Sequence, residues 1–154
     1  MKNKIIYLIG AIVLIIDQLT KMFIDSSKSV IENFFYINPV KNYGAAWSIL
    51  NNQTLLLTSI SIIILIVLFR YQVFFKMNMR NKIAFGLVYG GLLGNLLDRV
   101  IFGYVRDFLD FTVLGYDYPI FNLADSCLVI GIILLVIAIF KGEDEFGKNY
   151  SKRK

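Results

Sequence analysis

Four runs of apolar residues divide the chain. The first extends from about Ile5 to Ile24, the second over about 54–73, the third from Ile83 to about Val100 and the fourth from about Ile120 to Phe140. Each approaches the roughly 20 residues that a helix needs to cross a bilayer. The second is the clearest, because Leu55 to Phe69 contains no charge and the uncharged stretch reaches back to Asn42. The third is rich in glycine and ends near Asp98 and Arg99, and the fourth carries Asp125 near its beginning. Entry through Lys2 and Lys4 gives the first run the outline of a secretory signal peptide. Asp17 and Lys21 interrupt it, however, and no small-x-small cleavage pattern follows, so it reads as a retained first helix. Between about 29 and 52, alternating and β-branched residues around Pro39 predict a few short strands. The aromatic run Phe34-Phe35-Tyr36 within it also suits anchoring at a membrane interface.

Composition turns this pattern into a class. Of 154 residues, 57 % are hydrophobic and only 18 % charged, and mean hydropathy is +0.65. That is richer in apolar and poorer in charged side chains than an ordinary soluble domain. The expectation is an all-α membrane protein, a four-transmembrane-helix bundle forming a single integral membrane domain over 1–154. Four spans use most of the chain, so any chemistry is expected of the embedded part itself. The absence of histidine removes His-based acid–base work, Ser-His-Asp triads and ordinary His-containing zinc sites. One cysteine, Cys127, allows neither an intramolecular disulfide nor a CxxC metal clip, and its apolar neighbours suggest simple packing. No metal and no cofactor are expected.

Charge gives the bundle a direction. Lys2 and Lys4, then Arg70, Lys76, Arg80 and Lys82, then Lys141, Lys148, Lys152, Arg153 and Lys154 hold most of the sixteen basic residues. The positive-inside rule therefore places both termini in the cytoplasm. The net charge of +5 reflects this asymmetry and not an organised nucleic-acid surface, so no nucleic-acid partner is expected. Asp17 and Lys21, Asn42, Asn95 to Arg99, and Asn122 and Asp125 then fall towards the outer face. Polar residues from four segments meet at one membrane depth.

Within that cluster, Asp17 and Lys21 stand one helical turn apart, which suits an intrahelical ion pair or a brace for a larger site. Gly90 and Gly94 make a GxxxG spacing that permits close helix contact. Gly91, Asn95, Asp98 and Arg99 share a face of the same helix, and Asp98-Arg99 alone would also serve as an interfacial anchor. Asn122 and Asp125, three apart, share a face at the start of the fourth span. Asp107 lies in a connection of about twenty residues that is too apolar for a solvated loop: Phe102, Tyr104, Val105, Phe108, Leu109, Phe111. Such a segment suits an interfacial loop, half-helix or re-entrant turn that returns Asp107 to Asp125. Two carboxylates in a partly dry site share one proton. One then activates water as general base, while its protonated partner polarises a carbonyl and later assists the leaving amine.

These motifs resemble a family. Asp17-Gln18-Leu19-Thr20-Lys21, Asn42-Tyr43-Gly44-Ala45-Ala46-Trp47-Ser48, Gly90 to Arg99, Val105-Arg106-Asp107-Phe108 and Phe121 to Asp125 stand in the order found in the lipoprotein signal peptidases (signal peptidase II), which are bacterial membrane aspartyl peptidases. The resemblance covers nearly the full length. It implies a catalytic dyad of Asp107 and Asp125, supported by Asp17, Lys21, Asn42, Gly44, Gly91, Asn95, Arg99 and Asn122, with Asp98 structural. It also implies a small extracytoplasmic β-rich platform over about 29–52. The implied reaction removes the signal peptide from a prolipoprotein, cutting just before its diacylglyceryl-modified cysteine. Lipid-modified prolipoproteins and membrane phospholipid are the implied partners, and the bacterial plasma membrane is the implied location. Nothing in the sequence demands more than a monomer. Arg106 departs mildly from the family pattern: its guanidinium either points inward and lowers the pKa of Asp107, or snorkels to lipid headgroups.

Other classes remain open to test. A small ion or proton transporter would use the same aspartates, although a conduction path needs polar groups through the full depth of the bundle. A non-catalytic lipid-binding or assembly protein would bind substrate without cleaving it. A Ser–Lys peptidase would pair Ser48 with Lys21, but Ser48 lacks a distinct nucleophile context.

Overall fold

A computed structural model of the chain describes residues 3–45 and 49–144. Four helices are long and apolar enough to cross a membrane: α1 (Lys4–Phe23), α2 (Thr54–Tyr71), α3 (Met79–Phe102) and α4 (Leu123–Phe140). A short 3-10 turn, Gln72–Phe74, prolongs α2. Two starts differ from the apolar pattern, and both differences are made by asparagine. The Asn78 side chain accepts the Asn81 N–H at 2.9 Å, which starts α3 four residues before Ile83. At the other junction Phe121 is still extended, exchanging backbone hydrogen bonds with Leu109, so α4 begins only after Asn122.

The central helix is α3, packed between α1 and α4. Its small residues explain the position. A Cβ on Gly90 would lie 2.5 Å from the Val13 Cβ of α1, and one on Gly91 would lie 2.5 Å from the Ala124 carbonyl oxygen of α4. The glycine run thus admits a neighbour on each side, in the manner of close helix contacts in membranes. From α1, Ile6, Gly10, Val13, Asp17 and Lys21 form the buried stripe, spaced by three or four residues. The apolar core joins Ile6, Ala84, Phe85, Val88, Tyr89 and Leu135. By contrast α2 buries only Leu57, while Leu55 is 81 % exposed. A helix apolar all round with its side chains uncovered is a helix for lipid.

A four-stranded antiparallel sheet, in the order β1-β2-β3-β4, closes one end of the bundle. Its strands are β1 (Lys28–Ile31), β2 (Phe35–Asn42), β3 (Val105–Val113) and β4 (Tyr116–Asp117). This corrects one expectation. The connection between the third and fourth spans is not a half-helix: most of it is β3, paired with β2 from Phe35↔Phe111 to Asn42↔Val105. Leu109 to Val113 alternate apolar and polar residues at period two, and the β-branched Val105, Thr112 and Val113 suit a pleated strand with a partner available. The platform is accordingly built from two distant segments, and among the described residues of 43–53 there is no strand. The β2–β3 register shifts between Ile37 and Val40, where Pro39 has no N–H to offer a ladder.

Candidate active site

The site is assembled where α4 begins. Asn122 caps this helix: its side-chain oxygen accepts the Asp125 N–H at 2.9 Å, and the Asp125 carboxylate accepts the Asn122 N–H at 3.1 Å. This reciprocal capping box fixes Asp125 in the first turn, where the helix dipole favours negative charge. The same Asn122 reaches Asp107 on β3, donating from Nδ2 to Oδ1 at 2.6 Å. One residue therefore holds both carboxylates.

Each carboxylate has a second donor. Asn42, at the end of β2, donates to Asp107 Oδ2 at 2.8 Å, and Asn95 of α3 donates to Asp125 Oδ1 at 2.7 Å. The Asn42–Asp107 bond follows from the register, because Asn42 stands diagonally across from Asp107 on the paired strands. Asp107 is 2 % exposed. Burial, then the neighbouring Asp125 charge, push its pKa up to about 7 against the opposing pull of the Asn42 and Asn122 amides.

Beneath the pair lies a fully buried ionic layer. The Lys21 ammonium contacts Asp17 at 2.8 Å, Asp98 at 3.3 Å and the Asn95 side-chain oxygen at 3.0 Å. Asp17 also accepts the Ala124 N–H at 3.0 Å, which binds α1 to the first turn of α4. The intrahelical Asp17–Lys21 pair is real, and it is also a brace between three helices. Arg106 satisfies Asp98 from the other side, through Nη2 at 2.7 Å and its backbone N–H at 2.9 Å. Its guanidinium further donates to Gln18 Oε1 at 2.8 Å and lies over the Phe102 ring. Neither expectation for Arg106 holds: it turns to Asp98, not to Asp107 or the headgroups, because a buried carboxylate one strand-turn away is the stronger partner. Gln18, which no sequence argument singled out, links the layer by donating to Asp17, Asp98 and the Gly94 carbonyl.

The remaining site candidates lie at the margins. Arg99 donates to the Gly44 carbonyl at 3.1 Å, and Gly44 N–H donates to the Asn42 side chain at 2.9 Å, so this loop is tied to the Asp107 ligand shell. Gly91 touches none of these groups; it faces Ala124 and Leu128 of α4. Ser48 lies outside the described residues, as do Ala46 and Trp47. The three contacts of Lys21 leave its ammonium committed to acidic and amide oxygens. Cys127 is a buried free thiol within α4. Among the described residues, no group of His, Cys, Asp or Glu side chains is arranged to hold a metal ion.

Two clefts open on the carboxylates. One of about 200 Å³ is lined by Lys21, Pro39, Lys41, Tyr104 and Asp107. The other, of about 540 Å³, runs along α4 from Pro119 and Phe121 past Asp125 to Leu128 and Ile130. Its walls are largely apolar, with the carboxylate at the upper end. The arrangement can place an extended polar chain and an apolar chain against the same acidic pair.

Comparison with known proteins identifies the family. Residues 9–141 match the family model for signal peptidase (SPase) II. A lipoprotein signal peptidase of Staphylococcus haemolyticus (strain JCSC1435) is 43 % identical over 152 residues, covering 92 % of this chain and 96 % of the relative. One from Staphylococcus aureus (strain MRSA252) is 45 % identical over 143 residues, covering 87 % and 86 %. Two solved structures of a bacterial membrane enzyme, obtained by the in meso method, share 43 % identity with it. They superpose with TM-scores of 0.79 and 0.76, each covering 87 % of this chain and 86 % and 91 % of their own. With a conserved length, a shared fold and a family model spanning nearly all four helices, the chain belongs to the signal peptidase II family.

Proposed function

We propose that this chain is an aspartyl endopeptidase that removes the signal peptide from diacylglyceryl-modified prolipoproteins, cutting before the lipidated cysteine, with Asp107 and Asp125 as its catalytic pair. The observation that carries the reading is Asn122, whose side-chain and backbone donors hold one oxygen of each carboxylate. The two carboxylates share one proton: in this reading Asp107, raised to about 7, carries it, and Asp125 is the anion because it lies in the first turn of α4, where the helix dipole favours negative charge. As a water oxygen attacks the scissile carbonyl carbon, Asp125 takes the water proton and Asp107 gives its own to the carbonyl oxygen. The tetrahedral diol then collapses: the C–N bond breaks, Asp125 protonates the departing amine and Asp107 recovers the hydroxyl proton, leaving acid, amine and the starting enzyme. The apolar cleft along α4 suits the lipid or signal helix of such a substrate, and the polar cleft at Asp107 its peptide.

In this reading the basic segments face the cytoplasm and the sheet faces outward. The supporting residues divide by role: Asn42, Asn95 and Asn122 orient the carboxylates, Asp17 and Lys21 brace the helices, and Arg99 holds the Gly44 loop. Gly91 keeps α4 close. The test uses a lipid-modified precursor in detergent or vesicles. Asp107→Asn and Asp125→Asn are each expected to lower cleavage by at least about a thousandfold while the protein stays folded and membrane-inserted. Turnover within tenfold of the parent by either variant would refute the dyad.

A further inference from the structure

The bundle has another opening, at the end remote from the carboxylates. It is a groove of about 540 Å³ between α1, α2 and α3, with Tyr7, Ala11, Leu14, Phe69 and Tyr89 in its walls and Arg70 at its mouth. That volume falls within the range of about 300–1,000 Å³ that ligand sites occupy. Two polar side chains there have no hydrogen-bond or ion-pair partner among the described residues. Tyr89 is 6 % exposed, and its hydroxyl is buried with no hydrogen-bond partner among the described residues, whereas buried phenols normally find one. The ion pairs among the described residues join Lys21 to Asp17 and Asp98, Arg80 to Glu143 and Arg106 to Asp98, leaving Arg70 without a carboxylate.

The geometry of α3 leans the Tyr89 ring towards the end of the bundle where Arg70 lies. Helical side chains lean towards the N-terminus of their helix, and the Tyr89 ring lies against Phe85 one turn back, with centroids 6.1 Å apart. The N-terminal end of α3 is also the end at which Arg70 closes α2. A cation and a buried, unpartnered hydroxyl on the walls of one apolar trough are the complement of a phosphate, an ester oxygen and a hydrocarbon chain.

We infer that this groove binds one anionic glycerophospholipid from the leaflet opposite the carboxylates. Arg70 holds its phosphate, the Tyr89 hydroxyl donates to an ester oxygen, and one acyl chain lies between α1 and α2. A transmembrane peptide is a poorer occupant, because its carbonyls are already bonded within its own helix. Lys4, Lys76 and Lys82 at the same end add to the preference for negative headgroups. The bound lipid braces α2, whose only buried residue is Leu57. Nothing in this assignment depends on which residues cleave, so it stands or falls separately from the peptidase reading.

The test takes the full chain, delipidated in detergent, and titrates it with dioleoyl phosphatidylglycerol or dioleoyl phosphatidylcholine, read by native mass spectrometry and thermal unfolding. One phosphatidylglycerol per chain is expected, with a larger rise in unfolding temperature than phosphatidylcholine gives. Arg70→Gln, at an exposed position, is expected to weaken phosphatidylglycerol binding about tenfold and to erase the headgroup preference. Tyr89→Phe should weaken both lipids several-fold, and Ala11→Trp should fill the trough and remove the adduct. Equal binding of the two lipids, unchanged in Arg70→Gln and Tyr89→Phe, would overturn the inference whether or not Ala11→Trp folds. Displacement of the adduct by a signal-sequence peptide, or its replacement by a chain dimer on delipidation, would overturn it as well.

Discussion

At the residue scale the proposed chemistry turns on where one proton sits. Asp107 holds it up to about pH 7 because it is buried beside a second carboxylate. If the protonated form is the active one, kcat/KM falls as pH rises through about 7. Asn42 donates to the ionised carboxylate and so opposes the shift. Asn42→Ala is therefore expected to move the alkaline limb of the pH profile to higher pH, with part of the activity lost; a limb that stays in place would sever Asn42 from Asp107. The same titration acts on stability. Folded Asp107 keeps its proton to about 7 while an unfolded aspartate loses it near 3.8, so this group's contribution to stability declines as pH rises across that interval. Residue by residue, Asp107, Asp125 and their amide partners were visible in the sequence as motifs. The place of Arg106 was not, because it depends on charge balance: Asp17 and Asp98 are buried with Lys21, and two anions with one cation require another. That count was available in the sequence once burial was granted.

At the element scale, asparagine caps decide where helices start, and two of them do different work. Asn78 starts α3 at the end away from the site, so Asn78→Ala should cost about 1 kcal/mol of stability, read as a lower unfolding temperature, with cleavage little changed. Asn122 starts α4 and also holds Asp107, so Asn122→Ala should match that loss of stability and in addition remove most cleavage. Equal activities for the two variants would show that Asn122 is a cap and nothing more. The helices were legible from their apolar runs because length and hydropathy suffice to mark them. The β3 strand was not, because Phe108, Leu109 and Phe111 suit an interfacial half-helix or re-entrant turn as readily as a strand. The alternation from Leu109 to Val113, and the partner strand expected around Pro39, point to the strand instead. Strand pairing joins segments some seventy residues apart, and no local pattern announces it.

At the scale of the whole molecule, the ionic layer is what unites the parts. Lys21 on α1 reaches Asp98 and Asn95 on α3, while Asp17 takes the first-turn amide of α4. Replacing Lys21 by Met would leave two buried carboxylates short of a cation, a change that ordinarily costs about 3–5 kcal/mol. Thermal unfolding in detergent should register it as a large loss, and cleavage should fall even at temperatures where the variant is folded. Gly94 makes the layer possible, since a Cβ there would lie 2.5 Å from Asp17 Oδ2. Gly94→Ala should accordingly reproduce part of the Lys21→Met phenotype without touching any charge.

The cap of α4 also acts as a ruler. On the proposed assignment Asp125, in the first turn of a helix with 18 residues, is the reacting carboxylate and is held at a set distance along that helix. A precursor whose apolar segment is lengthened by two residues would lift its susceptible bond by about 3 Å along the helix axis. The enzyme would then select its targets partly by how far they protrude, a form of discrimination that needs no side chain to read the sequence.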